Sequence, residues 1–509
     1  MINDPGTGRS LSLRGLFPRA RITGAKDIAV SSLCSDASRC QPGDLFVALL
    51  DSDRDGHDDL AEAVNRGASA VVLERPLVSP VPSCLVSDTR DALGLICHHL
   101  AGQPADHLSL SGITGTSGKT ATTHLLQSIW KKAGVRSGLV STAHHDDGDN
   151  SLPTCRETPA PHELADLLGR MVDNRCQNAA LEISSQALVR RHLAGLQLDA
   201  AVITRIRSAH LDYHGSLENY RKAKLRIFSL LKPGGTAIVN ADDPATEALL
   251  ATIDVPVLRF GIHAEADITA TLLERSPGEQ TFLLCSGNET ASVQTSVIGD
   301  PHITHCLAAA SLGLADGLDL ATIAAGLSMA SRIPGHMERI ERGQPFQVYV
   351  DSANHPDTLA MALHAIRSTR PRRLICLFGP SSRQPAELRA RMGRVVERSA
   401  DIGMITSNDP GSEPPLSIIH DVLDGYDHPG HAHILPDRLE AICWSLDQAR
   451  PGDAVLIAGK GFRRSQQTGY MLDTFDDHQI ADEWLDQSNQ HHFHRGHGPA
   501  RLYTRHDVN

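Results

Sequence analysis

At 509 residues the chain exceeds one ordinary domain, and at ~100–200 residues per domain it holds about three. Its 41% hydrophobic and 21% charged residues suit a globular protein, and no apolar run approaches the ~20 residues that cross a bilayer, so no membrane span is expected. A formal charge of −12 argues against a broad nucleic-acid surface, while local basic sites for nucleotide phosphates remain open.

The first residues carry arginines but no apolar core with a small-residue cleavage site, so no signal peptide is expected and the cytoplasm is the default location. Ten scattered cysteines form no close C-x-x-C pair and read as reduced thiols. Residues 1–105 are expected to form a small α/β unit containing Pro42-Gly43-Asp44-Leu45-Phe46-Val47-Ala48 and the apolar strand Ala70-Val71-Val72-Leu73. After the link Gly102-Gln103-Pro104, a second unit over 106–337 opens with a β-type run from Leu108, a Gly-rich turn and a helix over 120–133. Strands are expected at 179–183, 200–204 and 236–239. The chain breaks at Ile333-Pro334-Gly335, and strands at 347–351, 373–379, 403–406 and 454–458 alternate with helices in a third, Rossmann-like unit over 338–488. Residues 489–509 are rich in His, Gly and Arg and read as a loose, solvated tail rather than a metal site. The fold class is therefore α/β, with a small N-terminal unit, a central P-loop nucleotide-binding domain and a C-terminal Rossmann-like domain.

The strongest local signal is Gly115-Thr116-Ser117-Gly118-Lys119-Thr120 between a strand and a helix. Glycines let main-chain N–H groups turn toward phosphate oxygens, the helix start adds positive potential, Lys119 brings a mobile charge and Thr120 a hydroxyl for Mg²⁺. The strict G-x-x-x-x-G-K-[ST] pattern is incomplete, because Ile113 stands at its first glycine. Downstream come Leu181-Glu182-Ile183-Ser184-Ser185, then His210-Leu211-Asp212-Tyr213-His214-Gly215, then Tyr220-Arg221-Lys222-Ala223-Lys224. Taken singly, Glu182 reads as a turn carboxylate, His210 as a core histidine and Lys224 as a solvated lysine; the combination reads otherwise.

That combination resembles the Mur ligase family, in its tripeptide synthetase branch. The similarity extends to Asp55-Gly56-His57, Gly335-His336-Met337-Glu338-Arg339 and Gly459-Lys460-Gly461, and so covers nearly the whole chain. The resemblance implies an ATP-dependent ligase that activates a carboxylate as an acyl phosphate and joins it to an amine. The substrates implied are UDP-N-acetylmuramoyl-L-alanyl-D-glutamate and an amino acid, used in peptidoglycan precursor synthesis by a cytoplasmic monomer. ATP would lie between the central and C-terminal units, contacted by residues 115–121, ending at Ala121, and by His302, His336 and Asp351. Catalysis would rest on Lys119, His210 and Lys224. Mg²⁺ would be bound by Thr120, Glu182, His210 and Lys224, the last as a CO₂-derived carbamate, since an unmodified lysine would be a cation beside cations.

The substrate side departs from the family pattern. The nucleotide-sugar peptide would meet Ser38, Thr158, Ser184, Arg190 and His192, but Ser38-Arg39 is displaced by one place, Glu157-Thr158-Pro159 replaces T-T-P, and the cation has moved toward Arg190. The amino-acid pocket, expected at Asn408, Asp409, Gly461 and Arg463, has Gly411 where diaminopimelate-adding members carry arginine and Arg463 where they carry an acid. Motif alone therefore assigns no amino acid. These changes, with His302, His305, His336 and Asn354, leave a second reading, a paralogue that binds the nucleotide-sugar peptide without ligating it. A third, a folylpolyglutamate-type ligase, is disfavoured by the N-terminal matches.

Overall fold

The computed structural model describes residues 10–493 except 52–53, 155–156, 208 and 248–252. Its three large sheets have five, eleven and six strands. The chain divides into two compact bodies: one holds the chain to Leu273 with Thr281–Thr295 and Pro301–Ala330, the other Glu274–Gln280, Ser296–Asp300 and the chain from Ser331.

In the first body, strands Leu33–Cys34, Leu45–Val47, Ala70–Leu73 and Ser83–Leu85 run parallel, with Arg21–Thr23 antiparallel at the edge. Leu45–Val47 and Ala70–Leu73 are buried on both faces and read as continuous apolar runs, as covered parallel strands do. The expected first and second units pack within this one body. Helix Thr89–Leu100 lies against helix Pro161–Asp173 and also against the turn at Ala194, with which a Cβ on Gly94 would collide.

The core of the eleven-stranded sheet is parallel, in the order Ser137–Val140, Asn178–Glu182, Ser109–Thr114, Leu198–Ile203, Leu231–Asn240. Strands Ser109–Thr114, Asn178–Glu182 and Leu198–Ile203 and the helix Lys119–Lys132 fall within one or two residues of the sequence-based bounds, Leu231–Asn240 begins earlier, and Ser137–Val140 is not among the expected strands. Pairing of Leu181 with Gly112 and Glu182 with Ile113 aligns the carboxyl ends of neighbouring strands, the edge at which open α/β sheets bind ligands.

In the second body, Gln347–Asp351, Ala454–Ala458, Leu374–Phe378, Ile402–Ile405 and Ala432–Ile434 form a parallel run, with Glu338–Ile340 antiparallel at one edge. Arg438 and Asp477 are both fully buried here and joined by two bonds, Nε to Oδ1 at 2.8 Å and Nη2 to Oδ2 at 2.6 Å. The last helix, Asp477–Phe493, corrects one expectation: residues 489–493 are helical rather than loose. The rest of the expected tail, 494–509, lies outside the described residues.

Candidate active site

The phosphate loop leaves strand Ser109–Thr114 through Gly115 (φ +157°) and enters its helix through Gly118 (φ +86°). A Cβ on Gly115 would strike the Thr204 hydroxyl, and one on Gly118 the ring of His305, so neighbours as well as backbone angles demand glycine. Thr204 donates to the carbonyls of Ser117 (2.6 Å) and Thr114 (3.2 Å), and Thr116 N–H donates to Arg205 O (2.7 Å). The strand-end residues thus hold the loop open. Ala121 is fully buried on the helix and contributes packing.

Glu182, 2% exposed at the end of its strand, receives Thr120 Oγ1 at 3.0 and 3.1 Å. Thr142 N–H and Oγ1 donate to it at 2.9 and 2.8 Å. Burial raises its pKa against the pull of Lys119. Burial alone would lower Lys119, but Glu157 and Glu182 more than offset it and hold the ammonium above the ordinary lysine range. The Lys119 amine rests 3.3 Å from Gly115 O.

Lys224 is 1% exposed. Its Nζ donates to Gly115 O at 2.7 Å and lies 4.8 Å from the centre of the Tyr220 ring. Burial, with the Lys119 charge adding to it, holds this amine well below the ordinary lysine range. His210 stands at the open rim in a left-handed conformation (φ +53°), capping the turn Leu211–His214. Partial desolvation lowers its pKa, Glu157 opposes this, and Lys119 and Lys224 reinforce it. Tyr220 OH meets Thr116 Oγ1 at 2.9 Å, which ties the Lys224 helix to the phosphate loop.

Of the expected sugar-peptide residues, Thr158 and Ser184 lie beside Glu182. Thr158 Oγ1 donates to Glu182 O (3.1 Å) and accepts from Ser184 N (2.9 Å); Ser184 Oγ caps the next helix; His192 Nδ1 meets Pro159 O (3.0 Å). Arg190 lies over Tyr213, 5.8 Å from its ring centre. Ser38 is on a turn of the five-stranded sheet, where it donates to Asp36 (2.7 Å).

Two expected nucleotide contacts have structural employment. His302 is buried, with Nε2 at 2.9 Å from Thr295 Oγ1 and 3.5 Å from Cys306 Sγ, whereas its neighbour His305 lies against the phosphate loop. Asp351 accepts from Met337 N (2.7 Å) and Ala353 N (2.8 Å); burial pushes its pKa up to about 6 against those bonds. His336 is half-buried in the turn before Met337, its N–H donating to Ile333 O (3.1 Å).

In the second body, Asp409 (φ +48°) accepts from Lys460 Nζ and Gln467 N, both at 3.0 Å, with Arg463 Nη1 3.8 Å away. Asn408 Nδ2 donates to Gly379 O (3.0 Å), and Gly461 packs on Ser352 where no side chain fits. Arg463 is 51% exposed. Lys460, fully buried, sits beneath this cluster, its pKa lowered by burial against the pull of Asp409. Thr142, Tyr220, His305 and Lys460 are the site residues that the sequence reading leaves without a role. Of these Tyr220, His305 and Lys460 carry a sequence signal, through the Tyr220–Lys224, His302–His305 and Gly459-Lys460-Gly461 segments, and Thr142 carries none.

A family model described as the Mur ligase middle domain matches residues 113–313, and one described as the Mur ligase, glutamate ligase domain matches residues 335–461. The chain is 37% identical over 459 residues to the UDP-N-acetylmuramoyl-L-alanyl-D-glutamate–2,6-diaminopimelate ligase of Geobacillus kaustophilus (strain HTA426), covering 89% of this chain and 94% of that one. It is 34% identical over 472 residues to the ligase of the same name from Bacillus velezensis, covering 91% and 96%. A solved structure of a UDP-N-acetylmuramoyl-L-alanyl-D-glutamate–2,6-diaminopimelate ligase superposes with a TM-score of 0.69 at 26% identity, covering 94% of this chain and all of that one. MurF from Acinetobacter baumannii, at 19% identity and a TM-score of 0.63, shares the fold.

Proposed function

The chain belongs to the Mur ligase family, and we propose that it is the ATP-dependent ligase that adds the third amino acid to UDP-N-acetylmuramoyl-L-alanyl-D-glutamate. The observation that carries this reading is one cluster, in which a buried carboxylate (Glu182), a threonine hydroxyl (Thr120), a charged lysine (Lys119) and a buried lysine (Lys224) meet at the mouth of the glycine loop. A protein that only binds nucleotide has no use for the buried amine.

The loop N–H groups and the helix start would hold the β- and γ-phosphates, with Lys119 following the charge that develops on the transferred group. Thr120 and Glu182 offer the hard oxygen donors that Mg²⁺ prefers, and they fit it; bound there, the ion would neutralise phosphate charge. Lys224 also fits its expected modification. Only a neutral amine attacks CO₂, and burial disfavours the ammonium at this position. Carbamylation forms an N–C bond, releases one proton and turns a buried base into an anion facing Lys119. Thr158, Ser184, Arg190 and His192 would position the peptide end whose carboxylate accepts the phosphoryl group, and Ser38 the uridine side. The Mur family membership and the absence, among the described residues, of a helix able to cross a membrane favour work on soluble precursors.

The relatives take 2,6-diaminopimelate. Around Asp409 two cations, Lys460 and Arg463, face one anion, a surplus that suits an amino acid with a distal carboxylate and repels the side-chain ammonium of lysine. Phosphate release from ATP with Mg²⁺, the nucleotide-sugar dipeptide and single amino acids, with mass detection of product, tests the reading. A tripeptide formed with diaminopimelate supports it. Lysine as the preferred substrate refutes the pocket assignment, and the absence of turnover with every amino acid while the dipeptide binds refutes the ligase.

A further inference from the structure

The first sheet brings together three groups that neither the phosphate chemistry nor the amino-acid pocket uses. Strands Leu33–Cys34 and Leu45–Val47 run side by side, Cys34 pairing with Phe46, so Cys34 at one strand end lies near Asp44, just before the next strand. Between them the 3₁₀ turn Ala37–Arg39 folds the chain back and delivers Cys40 to the same point. The Cys34 Sγ, the Cys40 Sγ and an Asp44 carboxylate oxygen all lie within 4.8 Å of one another. Cys40 and Asp44 are buried, while Cys34 is part-exposed.

We propose that Cys34, Cys40 and Asp44 form a binding site for a thiophilic divalent cation, of which Zn²⁺ is the type. Two sulfurs and one oxygen are a donor set for zinc rather than for Mg²⁺, which takes oxygen ligands. The carboxylate is already oriented as a metal ligand should be: Ser32 Oγ donates to Oδ1 (2.6 Å) and Gln41 N–H to Oδ2 (2.9 Å), which fixes the group and leaves each oxygen a lone pair. Three protein ligands leave a fourth position on the side of part-exposed Cys34, for water. Binding exchanges two S–H bonds for two metal–sulfur bonds and releases both protons, so it strengthens as pH rises.

The ligands bracket the turn that carries Asp36 and Ser38, where Asp36 accepts from both the N–H (3.0 Å) and the hydroxyl (2.7 Å) of Ser38. Closing this short loop through a metal stiffens it. Its effect on nucleotide-sugar binding rests on the function proposed above; metal binding itself does not.

The test is a Co²⁺ titration of the reduced full-length protein followed by absorbance, with Zn²⁺ competition, in wild type and the C34S, C40S and S32A variants. Wild type is expected to show a sulfur-to-cobalt charge-transfer band and tetrahedral visible bands that saturate together and are abolished by Zn²⁺. Histidines elsewhere in the chain produce no sulfur band. C34S and C40S are expected to weaken binding at least about 100-fold and S32A about 10-fold, while thermal unfolding in chelator stays that of wild type. If buried C40S fails to fold, C34S at the part-exposed position decides. No sulfur band, or a band of undiminished affinity in C34S, overturns the site, as does a Cys34–Cys40 disulfide that persists under mild reductant and excludes the metal. With metal bound and the nucleotide-sugar KM unchanged, only the link to the substrate loop falls.

Discussion

Replacing Glu182 by glutamine separates the chemistry of the site from its architecture. The carboxylate is 2% exposed and receives the N–H of Thr142 and the hydroxyls of Thr120 and Thr142 at 2.8–3.1 Å. Glutamine keeps the shape and one carbonyl oxygen for the Thr142 N–H, and the two hydroxyls can turn to accept from its amide. Folding raises the Glu182 pKa, so the folded state holds this proton more tightly than the unfolded chain does. Its contribution therefore favours folding at low pH and opposes it once pH rises through the folded pKa, and a neutral isostere removes that opposition. Stability of E182Q is thus expected within about 1 kcal/mol of wild type, a few degrees in Tm at most. Loss of the anion that would face a nucleotide-bound cation is expected to cut phosphate release by about 10²–10³-fold. The assays are ATP turnover across a Mg²⁺ titration and thermal unfolding without nucleotide. Activity within tenfold of wild type, or a loss that merely follows unfolding, would refute the assignment.

Lys224→Ala is expected to lower turnover by a similar about 10²–10³-fold and to recover part of it with added short carboxylic acids. Wild type in ¹³C-bicarbonate should show a carbamate carbon signal that the variant lacks. Arg463→Ala is expected to raise the KM for the amino acid roughly tenfold, about 1.4 kcal/mol, with little change in kcat. Its 3.8 Å pair with Asp409 is half exposed, so Tm should not move. Asp477→Ala leaves Arg438 buried and uncompensated and is expected to cost about 3–5 kcal/mol in denaturant unfolding, without touching nucleotide binding by folded protein.

The residues legible in the sequence are those whose chemistry is written in local spacing. Gly115 to Thr120 sits between a strand and a helix, and Glu182 ends an apolar run, so both are visible without a fold. Lys224 reads as a surface lysine by composition; only its spacing from His210 marks it, and burial against Gly115 O explains the mark. Thr142 carries no pattern at all. It reaches Glu182 because strands Ser137–Val140 and Asn178–Glu182 are sheet neighbours, a fact of topology. His302 and His305 lie one helical turn apart, and sequence alone does not say which faces the loop; in the fold His302 is buried against Thr295 and His305 is left to meet Gly118. The three ligands on the first sheet were invisible for the same reason, since their spacing matches no zinc pattern and a 3₁₀ turn closes the gap. The expected tail began five residues early because a polar helix end looks like a polar coil.

The acyl-phosphate claim is tested most directly by following oxygen. With ¹⁸O in the terminal carboxylate of UDP-N-acetylmuramoyl-L-alanyl-D-glutamate, ligation through an acyl phosphate transfers one labelled oxygen to each phosphate released. Mass analysis of that phosphate should find one ¹⁸O per tripeptide formed. Phosphate without label, alongside tripeptide formation, would contradict the mechanism.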